Sequence, residues 1–336
     1  MARMNVNTPR FYISWGDYWK SLGADVHSLN LLNPSQQGTD FSTPIGDDYN
    51  FPTVTRMPYP AAAKGINFYA VLGHNMGTNI GAAPYFAIKQ QVDDEWQEDI
   101  LIDGTSHSMQ INTGDGESPE HDGFSIGVIT NPSDGYVSGN PYMATGIRKP
   151  VNVSEISALE INSFVFGQTY DMPHSPDLNL KLSYEYDGVK TIQTKGGATL
   201  SNASYTKPAD WGDDIGAWQL GGEKNYRSGR RVWDLSFSFL ADSDIMPKVA
   251  ATTNYEAGDN YVDGFPQENT LLEGTDFFSQ VWNRTMGGHL PFIFQSDKDD
   301  SSPQNFAICR FDQSSLQYNQ ISPNLYNVKL KIRETW

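Results

Sequence analysis

Turn-forming residues constrain this chain more than any other feature. Of its 336 residues, 28 are Asp, 24 Asn, 30 Gly and 19 Pro, together 101. Short Asp and Asn side chains compete with helical hydrogen bonding, and Gly and Pro interrupt helices and strands alike. Helices are therefore expected to be scarce, with many short elements joined by turns. The 42 aromatic residues supply the burial that a modest aliphatic content does not, so the chain can offset its conformational entropy and is no disordered acidic tail.

Charge narrows the partners. With 23 Lys and Arg against 40 Asp and Glu, the net charge is −17, which repels phosphate backbones, and no basic stripe with interleaved aromatics offsets it. Nucleic acid is not an expected partner. Met1 to Arg10 lacks an apolar signal core, and no apolar run approaches the roughly 18 residues of a membrane span. We therefore expect no cleaved export signal and no membrane span. The single Cys309 cannot close an internal disulfide, which fits folding in a reducing compartment.

Periodicity places the elements. Phe11, Ile13 and Trp15 alternate on one face of a strand that Gly16 and Asp17 stop. From Gly23 to Lys64 neither period shows, and the Asn-, Ser- and Pro-rich composition reads as an extended arm. Its spaced aromatics Phe41, Tyr49, Phe51 and Tyr59 suit docking on a neighbouring surface, although an ordinary long loop on its own domain explains them as well. Ile66 to Leu72 is a nearly continuous apolar run, the pattern of a strand buried on both faces. Further strands are expected at Tyr85 to Gln90, Asp99 to Ile102, Phe124 to Ile129 and Ile156 to Phe166, giving a β-sandwich.

The second half is more regular. Leu180, Leu182, Tyr184 and Tyr186 alternate with polar residues, and Asp187-Gly188 before Val189 to Thr194 signals a hairpin. Trp233, Leu235, Phe237 and Phe239 form one aromatic strand face. A helix is expected from Thr275, as cap, to Met286, ended by Gly287-Gly288. Strands then follow at Leu290 to Gln295, Phe306 to Phe311 and Leu316 to Gln320. In the last, Tyr326, Val328, Leu330 and Ile332 alternate with polar residues. The expected fold class is all-β: a jelly-roll-like sandwich over 65–165, and a β-rich domain over 166–336 with one short helix, joined by a strand from 1–22. The arm occupies 23–64.

Chemistry-bearing residues form no catalytic pattern. The six histidines include no HExxH and no pair at i,i+4, and one Cys cannot build a structural zinc set. His121-Asp122 beside Asp115 and Glu117 is the best ligand cluster, yet a solvated acidic loop explains it better. There is no GxSxG elbow, and Cys309 lies inside an apolar strand. With 40 acidic residues some carboxylates fall close by chance, so a glycosidase pair carries no weight. No catalytic residue, cofactor or metal is expected. Trp96 and Trp211 are candidates for stacking on a sugar.

The segregated cations are the sharper signal. Lys329, Lys331 and Arg333 share one face of the last strand, and Arg230 and Arg231 precede the Trp233 strand. Basic residues gathered on an acidic protein suit contact with copies of itself, and heterologous contacts of that kind close into rings or tubes. A lysine-guarded edge strand is the other reading.

Several stretches resemble a known class. Phe166-Gly167 with Tyr170-Asp171, Tyr184-Glu185-Tyr186-Asp187-Gly188, Gly229-Arg230-Arg231-Val232-Trp233-Asp234-Leu235 and Leu290-Pro291-Phe292-Ile293-Phe294-Gln295 are among them. With the closing Val328-Lys329-Leu330-Lys331-Ile332-Arg333-Glu334-Thr335-Trp336, they look like tail structural proteins of tailed bacteriophages. Phe68 to Asn75 is similar to a strand and turn of phage proteins with a galactose-binding-like jelly roll. The resemblance implies a virion role in the tail tube end, distal tail ring or baseplate, assembled in the host cytoplasm. The implied partners are copies of itself and adjacent tail proteins. The alternative is a glycan-binding module on the tail tip or capsid surface, recognising host surface glycans.

Overall fold

The structure, a computed structural model, describes residues 6–32, 39–40, 49–56, 66–75, 83–92, 95–96, 123–128, 140–148, 160–186, 189–203, 229–247, 274–302 and 305–335. It is all-β, built on large antiparallel sheets. The chain divides into two compact units. An N-terminal unit holds Phe11–Tyr170 with Asp213–Glu223, and a C-terminal unit holds Met1–Arg10, Asp171–Gly212 and Lys224–Trp336.

The N-terminal unit contains strands β1 (Arg10–Ser14), β2 (Thr39–Asp40), β3 (Tyr49–Arg56), β4 (Phe68–His74) and β5 (Ala83–Val92). These are followed by β6 (Glu95–Trp96), β7 (Gly123–Val128), β8 (Asn140–Arg148), β9 (Glu160–Ile161) and β10 (Ser163–Asp171). One sheet runs β1-β10-β4-β7 and a second runs β3-β8-β5-β6. β4 is buried at every position, as its nearly continuous apolar run predicts, and it is paired along both edges, by β10 and β7. Gly167 on β10 lies so close to β1 that a Cβ there would meet the Ile13 carbonyl oxygen at 1.9 Å, so only glycine fits. The expected strand at Asp99 to Ile102 lies outside the described residues. That expected at Ile156 to Phe166 is β9 and β10, the latter continuing to Asp171.

Sequence reading missed a helix here. β1 ends at Ser14, and Trp15–Ser21 forms α1. Gly16 and Asp17 stop the strand but also start the helix: the Ser14 hydroxyl oxygen caps it by accepting from Asp17 N at 3.2 Å, and Asp17 suits the N-terminal dipole. Trp15 and Trp19, four apart, meet edge to face at 5.6 Å, and Trp19 tilts against Phe166 at 5.4 Å. The segment read as an arm is docked on its own unit where it is described. Val26, Leu29 and Leu32 are buried, Asn30 Nδ2 donates to the Phe164 carbonyl, and β3 pairs with β8.

The C-terminal unit contains β11 (Lys181–Glu185), β12 (Val189–Gln193), β13 (Thr199–Ala203), β14 (Arg230–Ala241), β15 (Phe292–Gln295), β16 (Phe306–Phe311), β17 (Tyr318–Ser322) and β18 (Leu325–Glu334). Its sheet runs β11-β14-β18-β16-β15, with β17 also on β18. Trp233, Leu235 and Phe237 point into the core with Val328, Leu330 and Ile332, and Trp233 meets Phe294 edge-on at 5.2 Å. The alternation then breaks. A bulge shifts the register between Phe237 and Leu240, so Leu240 enters the core in place of Phe239.

Two further expectations change. The strands on either side of Asp187-Gly188, which itself lies outside the described residues, do not pair with each other: β11 pairs with β14 and β12 pairs with β13. The reversal comes at Thr194–Gly197, where Thr194 N donates to the Ala198 carbonyl and Gly197 has φ +82°. The helix expected at 275–286 is instead one π-helical turn over Phe278–Trp282, with Asn283 N bonded to the Phe278 carbonyl. Asp276 rather than Thr275 caps it, accepting from Ser279 N at 3.0 Å. The wider winding carries residues five apart toward one side, and Phe277 and Trp282 both pack on Phe311.

Candidate assembly surface

The cations singled out by sequence are tied into their own unit. Arg231 forms a two-pronged ion pair with Glu334, Nη2 to Oε1 at 3.0 Å and Nε to Oε2 at 3.2 Å. It also donates to the Phe306 carbonyl and lies 5.2 Å from the Trp233 ring centroid. Burial works against its charge, but the Glu334 carboxylate outweighs that and holds the guanidinium above its ordinary value. Lys331 Nζ meets Asp312 at 2.5 Å, and that hydrogen bond raises the ammonium's pKa. Arg333 Nε lies 3.6 Å from Glu185, and Arg230 stands opposite Glu185 in the β11–β14 register. Lys329 is exposed.

These residues therefore join β11, β14, β16 and β18. β18 is no edge strand, since β14 lies on one side and β16 and β17 share the other. Its lysines consequently do not serve as edge guards. Alternation on β18 does hold, with Lys329, Lys331 and Arg333 opposite the buried Val328, Leu330 and Ile332.

The other sequence-derived candidates lie elsewhere. Phe41, Tyr59 and Trp211 fall outside the described residues, as do His121, Asp122, Asp115 and Glu117. Tyr49 and Phe51 sit on β3 and Trp96 on β6, their side chains outside the description. Among the described residues no cluster of three His, Cys, Asp or Glu side chains could hold a metal, and no helix is long and apolar enough to cross a membrane. His74 and Ser125 meet at 2.9 Å and are both fully buried, so this pair satisfies core polar atoms. Cys309 is buried. That burial, reinforced by Glu334 and opposed by Arg231, pushes its thiol well above the ordinary value.

What sequence reading missed is apolar surface. Among the described residues, Leu22 is the one exposed large hydrophobic of the N-terminal unit, and all the others belong to the C-terminal unit. Leu178 projects fully, and Phe239 is 69% exposed. Phe239 also has φ +63°, a left-handed conformation that bulky side chains avoid. The β12–β13 hairpin is exposed along nearly its whole described length. Its signal was present in the sequence as Lys195-Gly196-Gly197 between two short β-prone runs, but the Asp187-Gly188 pair drew the reading away.

Comparison with known proteins gives no match to any family model, curated protein or solved structure.

Proposed function

We propose that this chain is a structural subunit of a bacteriophage tail, assembling with copies of itself into a ring at the tube end, distal tail ring or baseplate and joining adjacent tail proteins. The observation that carries the reading is the set of exposed large apolar side chains described on the C-terminal unit, among them Leu178, Phe239 and the paired Ile192 and Leu200. Monomeric proteins keep contiguous apolar patches small, and larger ones mark sites of association. The resemblance of residues 159–336 to phage tail proteins falls mostly on that unit, which adds support.

Mass photometry and negative-stain imaging of the purified chain test the proposal. The expected result is closed rings of one stoichiometry. A monomer that persists at high protein concentration would overturn it.

A further inference from the structure

Among the described residues, the β12–β13 hairpin leaves nearly all of its side chains exposed. From Val189 to Ser201 every side chain is exposed except the half-buried Thr194. Ile192 and Leu200 are directly opposed in the ladder, 63% and 59% exposed. Such a cross-strand pair normally lies against a core, and an isolated two-stranded hairpin is marginal in water. Yet its turn is well formed: the Thr194 hydroxyl accepts from Ala198 N at 3.1 Å, and Gly197 N donates to the Thr194 carbonyl at 2.9 Å.

Its charge says what covers it. Residues 189–203 contain Lys190 and Lys195 but no Asp or Glu, so the segment is positive in a chain of net charge −17. A nucleic acid or anionic membrane would be repelled by the rest of the molecule. A second copy of the chain, by contrast, offers both carboxylates for these lysines and exposed apolar side chains that can cover the Ile192–Leu200 pair.

We infer that the β12–β13 hairpin is a self-association element that lays its Ile192–Leu200 face on a second copy of this chain, with Lys190 and Lys195 meeting acidic residues there. The inference rests on the self-assembling reading above and names the segment that makes the contact.

The test compares the full-length wild type with Ile192→Asp/Leu200→Asp by mass photometry and sedimentation. Thermal unfolding monitors the fold, and Ile321→Asp, at an exposed position on β17, serves as control. The expected result is at least a tenfold weaker assembly for the hairpin variant, an unchanged melting temperature, and wild-type assembly for the control. Limited trypsin digestion reads the same contact directly: cleavage at Lys190 and Lys195 slows at least tenfold in the wild-type oligomer. An oligomeric wild type whose hairpin variant assembles equally well, or whose hairpin is cut as fast in oligomer as in monomer, overturns this inference while leaving the self-assembling subunit intact. Equal weakening by Ile321→Asp also overturns the assignment to the hairpin. A monomeric wild type removes both.

Discussion

Phe239 shows how one residue can hold a conformation that its own chain does not need. Its left-handed backbone and exposed ring place a strained, poorly covered aromatic within β14, whose other large apolar side chains are buried, and such strain persists where surrounding structure enforces it. Asn tolerates that region better. Phe239→Asn is therefore expected to stabilise the isolated subunit by about 0.5–1 kcal/mol, read as a higher denaturant midpoint, whereas Phe237→Ala costs roughly 3–5 kcal/mol through the cavity it leaves. Equal losses in both would mean that Phe239 packs on its own chain. Arg231 is the opposite case, with its charge held inside. Removing it leaves the largely buried Glu334 carboxylate without its partner, and Arg231→Met is expected to cost about 3 kcal/mol. Lys331→Met, at an exposed pair, is expected to cost below about 1 kcal/mol by the same measurement.

Cys309 adds a pH prediction. Its folded pKa is raised, so the buried thiol contributes fully below the unfolded value of about 8.5. Stability then falls as pH rises through that value, because the unfolded chain ionises first. Thiol-reactive dye should label the native protein only as fast as it unfolds, and Cys309→Ala should flatten the loss of stability above that pH.

At the scale of elements, periodicity served well wherever a strand had one buried face. β18 and most of β14 follow their patterns because packing and side-chain alternation agree there, and β4 follows its apolar run, which marks burial on both faces instead. It failed where tertiary demands chose among local options. Gly16-Asp17 ends a strand and begins α1; Asp187-Gly188 suits a hairpin, but β14 takes β11 as its partner. The helix before Gly287 winds as a π turn so that Phe277 and Trp282 can share Phe311. The bulge after Phe237 was illegible, since Phe239 continues the alternation in sequence. The hairpin surface was illegible for a related reason: Ile192 and Leu200 each sit between polar neighbours, the pattern of a strand's inward face. Capping gives this scale a test. Ser14→Ala removes the α1 cap and is expected to cost about 1 kcal/mol in global unfolding. Gly197→Ala forces a Cβ into φ +82°, yet global unfolding should hardly move, because the hairpin's described side chains are almost all exposed. Faster trypsin cleavage at Lys195 should report the local loosening instead.

Across the whole molecule, assembly must overcome charge. Copies each carrying −17 repel one another, and that repulsion is long-ranged at low salt but weak beyond about 8 Å at physiological ionic strength. Apolar contact between copies is insensitive to such screening, whereas attraction between Lys190 or Lys195 and an acidic neighbour is weakened by it. The two contributions can be separated. Lys190→Glu/Lys195→Glu takes the net charge from −17 to −21 and replaces local attraction with repulsion, so it should weaken assembly most at low salt and recover as salt is raised. Ile192→Asp/Leu200→Asp removes apolar burial worth about 1.5–3 kcal/mol per fully covered side chain, and added salt cannot restore it. Sedimentation of both variants from about 0.01 to 1 M NaCl, the range over which the screening length falls from about 30 to 3 Å, distinguishes the two. Recovery of the lysine variant alone is the expected outcome. If salt restores both variants equally, assembly is governed by net charge and the hairpin's apolar face does not drive it.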